Sequence, residues 1–577
     1  VNYRHWLAGG NWEVDWSVPA PENSSDGIGA TTETKNQKEV DKLKKILFIS
    51  LAVVLALSIG LIGCEGEGEP ENIIKVAVCG QQDDIQGENQ MNGAEMAAAE
   101  LNALNGGDGI EIGGDYYQVE LVPVETNEST EGETGSTGTA NLEDVIDEVD
   151  FCVGGFRTEV VQVYREVAMD ADKIFMDCGA ATGALQFSTV VDYDNYKYWF
   201  KATPYNESFL VKSCFKMLAG VGGYLKATLD AYGPAVDPDY DDPVGGLLRV
   251  EILMEDAEWC ENMVTFSEIY MPALGLNRTG TTLVSPTASD INSELSAIAD
   301  RHPHIIFTAF SGSVGAVYSS TRVALGIPAM TIGINVPGQL KEHWDNTSGD
   351  CQGEIMLDTW AENVSITDTT VDWFNDYVAE YDDYPLYTAG TYDAIKAVCQ
   401  AMHETGSKDT DGLISWLEDP DNAITGVGGT TAYYQMPADT VCADCGHDGT
   451  PIFALNETQV KVFYPDIDNP WIRVITSPPY FEVVMDGYHQ SDWMCGYSDV
   501  GPLVVQQPHI AHDTVYGPGY QTGLGSQWQD GHKVGVWPID FGTTDPTFKL
   551  TDQYGDWNFS YPGAVAPEIP ITGFLAS

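Results

Sequence analysis

Basic residues are the scarcest resource in this chain of 577 residues: 26 Lys+Arg stand against 87 Asp+Glu, a formal net charge of −61. So negative a surface repels nucleic acid and anionic lipid headgroups, and partners of either kind are excluded as an expectation. Such charge suits a salty habitat, where screening removes self-repulsion; full stability in dilute buffer would count against that reading. Catalytic patterns are also missing. There is no GxSxG elbow, no HExxH and no GxxxxGK[ST] phosphate loop, so the chain is not expected to be an enzyme or to hold a cofactor. Cysteine is sparse, with eleven residues lacking the dense regular spacing of a disulfide scaffold. Cys79, Cys152, Cys178 and Cys399 lie in apolar stretches and read as buried thiols. Cys442, Cys445 and Cys495 are the disulfide candidates. The Cys442-x-x-Cys445 pair with His447 lacks the second pair that zinc requires, so no metal is expected.

A single long apolar run is present. Lys42, Lys44 and Lys45 precede the uncharged stretch Ile46 to Gly63, which ends in Leu61-Ile62-Gly63-Cys64. A basic start, an apolar centre and a terminal cysteine resemble a lipoprotein signal peptide, which implies lipid attachment at Cys64. The alternative is an uncleaved anchor, since the run is long enough to span a bilayer. Residues 65–70 read as a polar tether. Secretion signals begin a chain, so residues 1–39 are expected to be a non-native upstream extension and 40–63 the signal.

With hydrophobic residues at 43%, the remainder has globular composition and is long enough for two large lobes. From residue 72 strand and helix patterns alternate: Ile73 to Val78, Gln118 to Val124, Phe151 to Val153 and Lys173 to Cys178 are short apolar strands. Between them Met91, Ala94, Ala97, Ala98, Leu101 and Leu104 fall at helical spacing, as do Val160, Val161, Tyr164 and Ala168. A second series follows Pro204, with strands at Arg249 to Met254, Thr281 to Val284, His304 to Ala309 and Ala329 to Gly333, and helical patterns between. Helical spacing returns at Thr370 to Glu380 and Thr391 to His403. Repeated βα units predict two parallel sheets flanked by helices, an α/β fold. Residues 432–507, rich in Pro, Asp, Tyr and Trp, read as an inserted irregular or β subdomain.

Several tracts together resemble the leucine/isoleucine/valine-binding, type 1 periplasmic, solute-binding proteins of ABC importers. They are Val153 to Glu159, Phe175 to Thr182, Tyr198 to Pro204, Ile252 to Asp256, Ala389 to Ala394, and the closing tracts Gln527 to Gly531 and Val536 to Pro538. The resemblance implies a two-lobe fold with ligand between the lobes. It assigns residues 72–203 and 361–431 to lobe 1, 204–360 to lobe 2, and 508–577 to a return to lobe 2 and a tail. It also implies three crossings, near Thr203, at Asp358 to Glu362 and at Val505 to Ile510. The expected function is capture of an amino acid or similar small polar solute for an ABC permease, by an extracytoplasmic, lipid-anchored protein. The alternatives are a sensory receptor domain or an amidase-like enzyme.

Strand-end loops supply the candidate ligand residues. Phe156, Arg157 and Thr158 open a helix, whose N–H groups and dipole favour an anion such as an α-carboxylate. Arg157 can clamp that anion or pair with a surface acid instead. Ala180, Ala181 and Thr182 form a small-residue loop that lets a ligand approach the backbone, or an ordinary tight turn. In lobe 2, Phe310, Ser311 and Asn335 follow strands. The related family often places an acid near Asn335; this chain departs from that pattern, and Glu255, Asp256, Glu258 and Asp393 are the candidates for the missing charge. Trp259 and Tyr392 offer aromatic faces to a ligand or to the core.

Overall fold

The computed structural model describes residues 72–130, 134–207, 247–273, 276–433, 472–477, 480–485, 511–515 and 523–537, with scattered positions in 209–226, 520–521, 549–550 and 559–560. All belong to the unit Asn72–Ser577. Cys64, Cys442, Cys445, Cys495 and the apolar run 46–63 lie outside the described residues, as do residues 505–510. Among the described residues no helix is long and apolar enough to cross a membrane.

The first sheet begins with β1 (Ile73–Gly80), followed by α1 (Ile85–Asn102), β2 (Ile110–Ile112) and β3 (Asp115–Glu125). Then come α2 (Ser136–Val145), β4 (Phe151–Gly154), α3 (Thr158–Asp170), β5 (Phe175–Asp177), α4 (Gly183–Val191) and β6 (Trp199–Lys201). The strand order is β2-β3-β1-β4-β5-β6, parallel except for the β2–β3 pair. Ile74, Val76, Val78, Phe151, Val153 and Phe175 are fully or almost fully buried. Helices on both faces explain why these strands read as unbroken apolar runs. Each such side chain contributes about 1.5–3 kcal/mol by leaving water.

The second sheet holds β7 (Leu248–Glu255), β8 (Leu276–Val284), β9 (Ile305–Phe310), β10 (Met330–Asn335) and β11 (Ile355–Asp358). Its helices are α5 (Glu258–Ala273), α6 (Asn292–Ala299) and α7 (Val314–Ala324). Alternate strand residues feed two cores: Ile252, Ile305 and Phe307 join Phe215 and Leu218 on one face, while Leu253, Ile306 and Phe310 join Leu295 and Tyr318 on the other. In both sheets the chain runs from the first strand to one neighbour and then crosses to the other side, giving β3-β1-β4-β5 and β8-β7-β9-β10. That reversal leaves a crevice at the carboxyl ends of the strands.

Two helices, α8 (Thr370–Tyr381) and α9 (Thr391–Thr405), then return to the first sheet. Trp373, Tyr377, Ile395, Val398 and Met402 join its core. The short helix α10 (Thr410–Leu417) starts with Asp409 accepting from the Gly412 N–H at 3.0 Å. A two-residue ladder links β12 (Ile424–Thr425) to β13 (Thr430–Thr431), and within 432–507 the described residues form one hairpin, β14 (Ile472–Ser477) with β15 (Tyr480–Met485). Finally β16 (Leu524–Gln529) and β17 (His532–Trp537) complete the second sheet, β16 lying antiparallel between β11 and β17.

Two differences from the sequence reading have physical causes. Helix α1 starts at Ile85, ahead of the apolar stripe, because polar residues are buried in its first turns: the Asn89 side chain accepts from the Tyr377 hydroxyl at 2.6 Å and from the Leu386 N–H at 2.9 Å. Strand β6 lies within a tract read only as an exit, since Lys201 is fully buried against Asp177, at 2.8 Å. Ahead of β16 the described residues include 511–515, where the Lys201 N–H donates to the His512 carbonyl and the Val515 N–H to that of Ala432.

Candidate functional site

Loops at the carboxyl ends of strands from both sheets meet around a cavity of about 460 Å³. Lobe 1 contributes the loops after β1, β4 and β5, and lobe 2 those after β7, β9, β10 and β11. The chain crosses between lobes at its wall, through Thr203 and through Asp358 and Thr359. The first crossing is packed tightly: a Cβ on Gly390 would stand 2.4 Å from Thr203 Cγ2, and the Thr203 hydroxyl donates to the Tyr387 carbonyl at 3.0 Å. At the end of β4 the backbone of Gly154 takes φ 119°, and a Cβ there would meet the Cys79 carbonyl oxygen at 2.0 Å. Only glycine permits both.

Several backbone donors of these loops are taken by the protein's own carboxylates. Glu128 accepts from the Phe156 N–H at 2.9 Å and the Arg157 N–H at 2.5 Å, and also from the Tyr164 and Thr126 hydroxyls. Asp177 accepts from the Gly179 and Ala180 N–H groups at 3.1 and 2.9 Å. In lobe 2, Glu255 takes the Ser311 and Gly312 N–H groups at 2.7 and 2.6 Å, and the Ser311 hydroxyl at 2.7 Å. Asp84 accepts from the Ile85 N–H at 2.8 Å, and Asp358 from that of Thr359 at 2.8 Å. Burial drives the Glu128 carboxyl up to about 7, against the pull of those four donors. It likewise raises Asp177, opposed chiefly by the Lys201 ammonium, and Glu255, opposed by Gly312 and Ser311. Asp358 is held by Lys533 at 2.8 Å, with both side chains fully buried. Desolvation pushes His343, on the lobe 2 wall, down to about 4, so its ring is neutral at ordinary pH.

Of the residues singled out from sequence, Phe156, Arg157, Thr158, Ala181, Trp259 and Ser311 line the cavity. Five others lie elsewhere. Ala180 is fully buried and its carbonyl accepts from Lys201. Thr182 is buried at the start of α4. Phe310 packs on Tyr318 with ring centroids 5.3 Å apart. Asn335 directs its amide nitrogen at the Gly315 carbonyl, 3.5 Å away. Tyr392 sits beside Trp373 in the lobe 1 core, its hydroxyl donating to Glu100. Asp393 receives the Val427 and Gly428 N–H groups at 2.9 Å and serves the fold. Arg157 lines the cavity with its Nε 3.7 Å from Glu159 and its Nη1 3.4 Å from the Glu128 carbonyl. Sequence reading missed Gln86, Tyr205, Gln339, His343 and Tyr387, which line the same cavity. The Pro337-Gly338 turn after β10 was a signal for Gln339 and His343. Among the described residues no group of three or more His, Cys, Asp or Glu is placed to hold a metal ion.

A model of the family described as periplasmic binding protein matches residues 78–445. The chain belongs to that family. No curated protein matches this periplasmic binding protein. Many solved structures do. A protein described as a branched-chain amino acid ABC transporter, from Silicibacter pomeroyi, is 15% identical, with 82% of this chain and 97% of that chain covered and a TM-score of 0.50. A branched-chain amino acid transporter substrate-binding protein from Streptococcus pneumoniae, in complex with isoleucine, is also 15% identical, covering 63% of this chain and 92% of that one, with a TM-score of 0.48. A solute-binding protein of an ABC transporter from Rhodopseudomonas palustris, in complex with 3,4-dihydroxybenzoic acid, gives 16%, 63%, 89% and 0.48 in the same order. The fold is thus the two-lobe type 1 arrangement of parallel sheets flanked by helices.

Proposed function

We propose that this protein is an extracytoplasmic solute-binding lipoprotein. It captures a small polar solute, an amino acid or a relative of one, between its lobes and presents it to an ABC permease. The observation that carries this reading is the cavity bounded by strand-end loops of both sheets. A solute there touches both lobes at once and so favours the form in which they are closed. Family membership supports the role. The domain division that accompanies it is lobe 1 from 72–203 and 361–431, lobe 2 from 204–360 and the return from 508. Residues 40–63 are its signal, and Cys64 is its lipid site. The chain binds without turnover.

Calorimetric titration with amino acids, amides, short peptides and polyamines tests the binding, and recovery of the bound compound intact tests the absence of turnover. A saturable heat for one solute, returned unchanged, is expected. Steady consumption of the solute would replace this reading with an enzymatic one. For the anchor, Cys64→Ser should move the protein from membranes to the soluble fraction. Equal membrane retention would refute lipidation there.

A further inference from the structure

The chemistry of the cavity wall narrows the kind of solute it can take, an inference that rests on the solute-binding reading above. A carboxylate is best held by backbone N–H groups and a cation, and four such N–H groups at the cleft are spent; Trp259 Nε1 and His343 Nε2 are the buried lining nitrogens without a hydrogen-bond partner among the described residues. The N–H groups of Phe156, Arg157, Ser311 and Gly312 already point at Glu128 and Glu255, and Arg157 lies between Glu128 and Glu159. Of the lining acids, Asp358 is paired with Lys533 and Glu159 faces Arg157, which leaves Asp84 and Glu342 as the negative excess among the described residues. In a partly enclosed cleft that excess of one sign attracts cations and repels anions.

Acceptors are left over on both lobes. Gln86 of lobe 1 and Gln339 of lobe 2 line the cavity and are 3% exposed. Each donates through Nε2 to a backbone carbonyl, Gln86 to Ser311 and Gln339 to Leu357, both at 3.2 Å. A carbonyl can only accept, so these bonds fix which end of each amide is nitrogen. The two Oε1 atoms have no hydrogen-bond partner among the described residues. A buried acceptor without a donor is costly, and here there is one on each lobe. Phe156, Tyr205, Trp259 and Tyr387 add aromatic surface to the same wall, and an aromatic face attracts a cation.

We infer that the cleft takes an organic cation bearing N–H donors, an amine or amidinium solute without a carboxylate, with Gln86 and Gln339 accepting from it and Trp259 against its charge. The recognised solute is then a decarboxylated or amidated relative of an amino acid.

The test is a calorimetric comparison on the full chain of agmatine with arginine, cadaverine with lysine, and 4-hydroxybenzoate as an anion. At least one amine should bind tenfold or more tightly than its parent amino acid, and its affinity should fall as salt rises. Gln339→Leu should weaken that amine about tenfold with arginine and lysine still weak; Gln86→Met is the second variant should the first fail to fold. Equal or tighter binding of either parent amino acid, or binding of 4-hydroxybenzoate alone, overturns the cation inference and leaves solute capture standing. Silence from all five probes overturns the cation inference, and solute capture falls only if the wider panel of amino acids, amides and peptides is silent as well.

Discussion

Replacing Asp177 with alanine should be among the most damaging single changes in lobe 1. Asp177 and Lys201 are both fully buried, with Oδ2 and Nζ 2.8 Å apart. The other oxygen of Asp177 holds the Gly179 and Ala180 N–H groups, and Gly179 and Ala181 line the cavity. Truncation removes the carboxylate bonded to a buried ammonium, leaving it the Ala180 carbonyl and the more distant, buried Asp513, a loss of about 3–5 kcal/mol. Two stranded N–H donors bring the total to about 5 kcal/mol or more. For a domain of this size that corresponds to roughly 10–20 °C in melting temperature. Melting of the wild type, Asp177→Ala, Lys201→Met and the double variant forms a cycle. The double variant should recover about 2 kcal/mol or more relative to Asp177→Ala, since it removes the stranded charge. If Asp177→Ala melts within about 3 °C of the wild type, or the double variant melts no higher than the single, the pair does not stabilise the lobe as argued.

Other expectations concern the cleft. Glu128 is pushed from 4.5 to about 7 by burial, so the folded protein favours its protonated form. Its stabilising contribution is complete below pH 4.5 and lost as pH rises through about 7, a difference of roughly 3 kcal/mol. Glu128→Gln should flatten the decline of the melting temperature over that window, and an unchanged slope would contradict the assignment. Glu128→Ala exposes the Phe156 and Arg157 N–H groups, so it should raise the affinity for 4-hydroxybenzoate measured by calorimetry; no gain would show that those donors are not what excludes anions. Gly390→Ala forces a methyl onto Thr203 at the first crossing and should cost about 1–3 kcal/mol in thermal unfolding. A neutral result would mean that the crossing has room to shift.

The elements most legible in the sequence are those whose side chains act alone. Apolar runs such as Ile73 to Val78 and Phe151 to Val153 announced buried strands, and the Ala94, Ala97, Ala98 and Leu101 stripe announced α1. Strand β6 escaped because a lysine in a strand reads as exposed, and nothing near Lys201 in sequence says that Asp177 will meet it. The cleft was legible by position and not by chemistry. Strand ends located Phe156, Thr158, Ala181 and Ser311, but the acids that occupy their donors come from elsewhere, Glu128 from 28 residues before Phe156 and Glu255 from 56 before Ser311. Helix N-termini suggested an anion seat; the partner that fills each one is a matter of tertiary contact. Tyr392 failed for the opposite reason, since an aromatic on a helical stripe is most often core, and this one packs on Trp373.

The last strands of lobe 2 have a consequence for how the molecule is made. Strand β11 is finished at Asp358, but its neighbour β16 begins only at Leu524, with lobe 1 residues and the 432–507 segment between them. While those residues emerge, the backbone edge of Ile355–Asp358 has no β16 to bond. An unpaired edge invites pairing with the wrong chain. A chain interrupted anywhere in that interval therefore carries an adhesive margin, and holding it apart from its fellows until Trp528 arrives is a task for the machinery that synthesises and delivers it.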